Sequence, residues 1–127
     1  MDLVAFVIVL ALIEFFVFGI LVGRARGQYG VQAPAITGHP IFERYFRVHQ
    51  NTMEQLVIFV PSIWFFGQYV GPRLAALLGI IFIIGRVIYL RGYVEEPKKR
   101  ETGVIIGVVA LGILMLGAAI GALVASL

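Results

Sequence analysis

Residues 3–22 read LVAFVIVLALIEFFVFGILV, twenty residues with a single charge, Glu14. As a helix that run spans about 30 Å, the thickness of a bilayer's hydrocarbon layer. Only Asp2 precedes it, with no basic stretch ahead and no A-x-A site behind, so it reads as a retained helix rather than a signal peptide. The pattern recurs down the chain. Leu56–Val70 is a shorter apolar run, extended backwards by a helical-looking polar stretch from Ile41 to Gln55, and Pro61 predicts a kink within it. Leu74–Leu90 is broken only by Arg86, and Val104–Leu127 carries no charge. Gly117 and Gly121 in the last run form a GxxxG, which permits close helix approach. Gly71-Pro72 and the stretch from Glu95 to Glu101 make two short connections, and residues 23–40 form the one long loop. The expected structure is a single all-α membrane domain over 1–127, with helices at about 3–22, 41–70, 74–93 and 102–126 in an up-down bundle.

Composition excludes several classes. Hydrophobic residues make up 61% of the 127 and charged residues 13%, against about 25% charged in soluble domains. Disorder is excluded by the apolar content. The absence of Cys excludes a disulfide scaffold, thiolate zinc sites and a cysteine nucleophile. His39 and His49 have no carboxylate cluster at metal-ligand spacing, so no metal is assigned.

The basic residues are asymmetric. Arg24, Arg26, Arg44, Arg47, Arg91, Lys98, Lys99 and Arg100 fall on or beside loops one and three, whereas Arg73 is alone on the other side. The positive-inside rule places loops one and three in the cytoplasm and both termini outside. Arg24, Lys98 and Lys99 read as topology determinants or headgroup contacts. A nucleic-acid partner is not needed to explain the net charge of +3.

Two polar stripes meet at the cytoplasmic boundary. Arg44, Arg47, Asn51 and Glu54 are spaced 3, 4 and 3, which places them on one helical face. Arg86, Tyr89 and Tyr93 share a face of the third helix. Arginines clamp carboxylates, and Glu54 can take an amine. The stripes therefore describe a cytoplasm-facing pocket for an anion, suited to a ligand with two carboxylates and one amine. Structural alternatives stand beside this. Arg44 and Glu54 can form an ion pair, and Arg86 can pair with any carboxylate. His49 reads as a packing residue, as does Trp64, and Tyr29 as an interfacial anchor. Glu14 is either a structural hydrogen-bond partner or a site residue.

The stretch from Phe42 to Glu54, FERYFRVHQNTME, resembles the FER-x-x-R-x-x-x-N-x-x-E signature of the MAPEG family, the membrane-associated proteins in eicosanoid and glutathione metabolism. Residues 86–93, RVIYLRGY, resemble the family's R-x-x-Y-x-x-G-Y, and Arg100 follows Tyr93 by seven residues, as the family's catalytic arginine does. The family includes microsomal glutathione transferases and leukotriene C4 synthase. The resemblance implies a homotrimer binding glutathione between adjacent subunits. It implies glutathione contacts at Arg26, Arg47, Asn51, Glu54, Tyr89, Arg91 and Tyr93, with Arg100 stabilising the thiolate. Arg91 stands where leukotriene C4 synthase has glutamine, and Gln55 where it has tyrosine. The implied activity is a glutathione S-transferase, with peroxidase activity as a further possibility, acting on a lipophilic electrophile or hydroperoxide. The short chain without a basic C-terminal tail points to a bacterial member, in the inner membrane. Two other functions compete. One is a non-catalytic, lipid-presenting relative. The other is a four-helix proton-coupled multidrug transporter that uses Glu14.

Overall fold

The computed structural model describes residues 1–127 as four helices and no strand. Helix α1 spans Asp2–Tyr29, α2 Pro40–Tyr69, α3 Pro72–Glu95 and α4 Glu101–Ser126, with a 3-10 turn at Pro97–Arg100 leading into α4. Both α2 and α3 begin with proline, whose fixed φ and missing N–H suit a first helical position. His39 caps α2 by accepting from the Ile41 N–H at 3.2 Å, and Glu43 reaches back to accept from the Gly38 N–H at 3.1 Å. The α2 helix continues through Pro61.

The first helix runs further than hydropathy indicates. It ends at Gly30, in the left-handed conformation at φ 69° that lets glycine close a helix. Arg24 and Arg26 therefore lie on the last turns of α1, not on a loop, and the connection to α2 shrinks to residues 30–39. Hydropathy falls after Val22, yet Arg-Ala-Arg is good helix-forming sequence.

Neighbouring contacts fix the topology. Val7 lies against Gly79, and Phe18 shares a buried cluster with Tyr89, so α1 and α3 run parallel. Gly79 also meets Ile63, and Arg86 meets Asn51, so α2 is antiparallel to α3. Gly117 abuts Phe66 and Gly121 abuts Tyr69, which sets α4 parallel to α2. The GxxxG is thus an α2–α4 contact, where a Cβ at either glycine would collide with an aromatic residue.

The central helices are α2 and α3, each of which touches the other three, and α2 shows the core pattern most regularly. The buried α2 positions Val48, Thr52, Leu56, Phe59, Ile63 and Phe66 recur every three or four residues. Leu56, Phe59, Ile63 and Phe66 join Val4, Val7, Phe82, Leu111, Leu114 and others in one core, in which the Phe59 and Phe82 rings stack at 4.2 Å, while Val48 packs with Phe18 and Tyr89. Outside this core the bundle remains apolar. Phe6, Phe16, Val57, Ile105, Leu116 and Ile120 all point outward. Three helices, α1, α3 and the last, are long and apolar enough to cross a membrane. The exception is α2, whose first half carries Glu43, Arg44, Arg47 and Glu54.

Several side chains differ from expectation. Arg44 does not pair with Glu54: its Nη1 donates to the carbonyls of Val94 at 2.9 Å and Glu95 at 3.4 Å. A guanidinium satisfies the orphan carbonyls at the C-terminus of α3 and meets the negative end of its dipole. Trp64 is 38% exposed on the outer face instead of packing in the core. Tyr29 stacks on His39 at 4.2 Å, and His49 stacks on Phe15 at 4.4 Å as a packing residue.

The entry of α4 depends on Gly103. A Cβ there would strike the backbone of Tyr89, so only glycine allows α4 to lie this close to α3. Gly103→Ala is expected to lower the thermal midpoint in detergent by roughly 5 °C or more, as overpacking does. Gly112→Ala adds a Cβ with nothing within 4 Å and should leave the midpoint unchanged or slightly raised. Thermal denaturation of both variants checks this, and equal losses would count against the close α3–α4 contact.

Candidate functional site

Arg86 sits within the apolar part of α3 and is 6% exposed. A guanidinium in that setting needs partners. Its Nη2 donates to Asn51 Oδ1 at 2.9 Å, and the guanidinium lies 4.3 Å from the centre of the Tyr89 ring. That link ties the polar stripe of α2 to that of α3. Tyr89 stacks on Tyr93 one turn further on, with ring centres 5.6 Å apart. Tyr93 in turn faces the Arg100 guanidinium at 5.8 Å. Arg100 is presented by the 3-10 turn, its Nη1 donating to the Pro97 carbonyl at 3.1 Å. The turn is held against α3 at Gly92, where any Cβ would meet the Lys99 carbonyl.

These groups line one cavity of about 340 Å³ between α2, α3 and α4. Arg47, Asn51 and Gln55 come from α2, and Arg86, Tyr89 and Tyr93 from α3. Arg100, Val104, Gly107 and Val108 form the third wall. The cavity thus presents three guanidinium groups, two phenols and two amides, and no carboxylate. One wall is apolar. The chemistry suits an anionic, hydrogen-bonding ligand with apolar surface beside it.

The structure brings together Arg47, Asn51, Tyr89, Tyr93 and Arg100 from the sequence-derived set. It does not bring Arg26, Glu54 or Arg91 to the cavity. Arg26 donates from Nη1 to the Ala35 carbonyl at 2.7 Å and covers the Phe42 ring at 4.8 Å, holding the α1–α2 connection. Glu54 and Arg91 are exposed. Helical geometry explains Glu54. Relative to Arg47, Asn51 is turned by roughly 40° and Gln55 by roughly 80°, whereas Glu54 is turned by roughly 20° the other way. The cavity face is centred on Asn51, so Glu54 falls at its edge.

Besides the apolar wall of Val104, Gly107 and Val108, two polar lining residues, Gln55 and Arg86, were absent from the contacts that the resemblance implies. Gln55 lies one turn beyond Asn51, and the i, i+4 step from Asn51 was the available signal. Arg86 shares its stripe with Tyr89 and Tyr93, and that shared face marks it as part of the site. No group of three or more His, Asp or Glu side chains is placed to hold a metal ion.

The sequence matches a family model described as MAPEG family over residues 4–120. The chain is 45% identical to human microsomal glutathione S-transferase 2 over 106 residues, covering 84% of this chain and 70% of that protein. It is 34% identical to mouse leukotriene C4 synthase over 107 residues, covering 84% and 71%. An uncharacterized protein of Synechocystis sp. is 44% identical over 114 residues, covering 90% and 83%. The family match reaches into all four helices, the apolar spans and the polar cavity alike. This chain belongs to the MAPEG family and is an integral membrane protein.

Proposed function

We propose that this protein is a membrane-bound glutathione S-transferase whose catalytic group is Arg100. The observation that carries the reading is the cavity lining of Arg47, Arg86 and Arg100 with Asn51, Tyr89 and Tyr93 and no carboxylate. Glutathione carries two carboxylates, an amine and a thiol. Arg47 and Asn51 bind a carboxylate end, the tyrosines hydrogen-bond the peptide, and Arg100 stands at the thiol.

The mechanism is electrostatic. A free thiol has a pKa near 8.5, and the thiolate is the nucleophile. A guanidinium beside the sulfur favours the charged form. The thiol proton leaves to solvent, and the thiolate sulfur forms a bond to an electrophilic carbon. The leaving group departs with the electron pair of the broken bond. Val104 and Val108 offer an apolar approach from the bilayer for the electrophile. A lipid hydroperoxide is a second acceptor for the same thiolate: the sulfur takes the distal oxygen as the O–O bond breaks and the alcohol leaves, and a second glutathione thiol then forms the disulfide and releases water.

In this reading the protein works as a homotrimer. Arg26, Glu54 and Arg91 lie outside the cavity of a single subunit, and a site between adjacent subunits gives them a route to the same glutathione. Glu54 supplies the charge that meets the amine. Loops one and three face the cytoplasm, as the basic bias on Arg24, Arg26, Lys98, Lys99 and Arg100 supports. Two other readings fare less well. A lipid-presenting, non-catalytic relative leaves the Arg100 placement unused. A transporter working through Glu14 leaves the arginine cavity unused, and that cavity repels cationic drugs.

Arg47→Ala is expected to weaken glutathione binding about tenfold or more in isothermal titration, the loss of a charged hydrogen-bonding partner. Unchanged binding counts against the cavity as the site. Arg100→Ala should reduce conjugation of a generic aryl halide by about 10²–10³ while glutathione affinity changes only a few-fold. Equal losses of binding and turnover would make Arg100 a binding residue. Wild-type protein that binds glutathione and conjugates nothing would favour the lipid-presenting reading.

A further inference from the structure

Glu14 is the one acidic residue in the apolar run of α1. Both of its carboxylate oxygens are buried without a hydrogen-bond partner. Arg86 has the complementary deficiency, because its Nε is buried with no acceptor. A carboxylate only accepts and a guanidinium only donates, so each carries what the other lacks.

The helix register places them together. Val7 lies against Gly79, and four residues past Glu14 Phe18 shares a cluster with Tyr89, three past Arg86. On two parallel helices this sets Glu14 level with Arg86. No contact ion pair joins Glu14 to Arg86, so the two groups act on each other through space across the α1–α3 contact.

We propose that Glu14 is a positioning residue for the cavity: its carboxylate holds the Arg86 guanidinium from the α1 side, and Arg86 in turn fixes Asn51 and Tyr89. The chain of contacts is short. Arg86 Nη2 bonds Asn51 at 2.9 Å, and its guanidinium lies over Tyr89 at 4.3 Å. With Glu14 neutral, Arg86 loses its counter-charge, and the orientation of both lining residues loosens. Glu14 itself is absent from the cavity lining, so it touches no ligand there. The effect on ligand binding rests on the glutathione reading above, whereas the hold on Arg86 does not.

The test uses the full-length protein in detergent, with Glu14→Gln as the isosteric variant and Glu14→Asp as the charge-conserving one. The Arg86 Nε–H resonance, in protein carrying isotope-labelled arginine and assigned by its loss in Arg86→Lys, reports the hold directly. It is expected to shift and exchange faster with solvent in Glu14→Gln, with partial recovery in Glu14→Asp. Glutathione affinity is expected to fall about tenfold in Glu14→Gln, again with partial recovery in Glu14→Asp. An unchanged Arg86 resonance in folded Glu14→Gln overturns the proposal, whatever happens to ligand binding. So does a lowered thermal midpoint with resonance and affinity both unchanged, which marks a purely structural residue. Should Glu14→Gln fail to fold, an Arg86 resonance identical to wild type in Glu14→Asp overturns it as well, because moving the carboxylate by one methylene must alter its field at Arg86. Failure of the wild type to bind glutathione overturns the transferase reading instead, and the Arg86 resonance then decides the positioning role alone.

Discussion

A guanidinium in the apolar half of a membrane helix has to be held by protein, because hydrocarbon offers it nothing. Arg86 is that group, and the polar architecture is arranged around it. Its bond to Asn51 joins α2 to α3, and its contact with Tyr89 orders the phenol that faces the cavity. From Tyr89 the chain of rings and guanidinium groups continues through Tyr93 to Arg100 at the rim. Removing Arg86 from this scheme would leave Asn51 with an unmet acceptor and the two stripes with no direct link.

The apolar architecture serves the same end from the other direction. Phe59 and Phe82 lock α2 to α3 within the core, so the polar stripes emerge from it in register. Gly103 lets α4 pass against the Tyr89 backbone, which brings Val104 and Val108 to the cavity as an apolar wall. Arg44 closes the C-terminus of α3, and Gly92 seats the turn that presents Arg100. An arginine-lined cavity beside an apolar wall suits the proposed coupling of a polar thiol to an apolar partner.

Much of this was legible in the sequence, for a simple reason. Hydropathy reports three of the four helices directly, since a helix in hydrocarbon must be largely apolar. The stripes at Arg47 and Asn51 and at Arg86, Tyr89 and Tyr93 were readable because helical spacing maps sequence onto faces. What was not legible depended on small angles and on partners. A spacing of seven drifts by roughly 20° from a true repeat, and that drift moves Glu54 to the edge of the face while Gln55 enters the cavity. Arg44 looked equally able to pair with Glu54, and only the packing of α3 shows that its carbonyls claim the guanidinium. Arg24 and Arg26 belonged to a helix that hydropathy ends too early, because charge lowers hydropathy without breaking a helix.

The central claim is that the arginine-lined cavity binds glutathione and ionises its thiol. Thiolate has an ultraviolet absorbance that the thiol lacks, so the claim is open to direct observation. Mixing glutathione with the detergent-solubilised protein below the free thiol's pKa should produce a saturable thiolate band with release of protons to the medium. Saturable binding with no thiolate band and no proton release would contradict it.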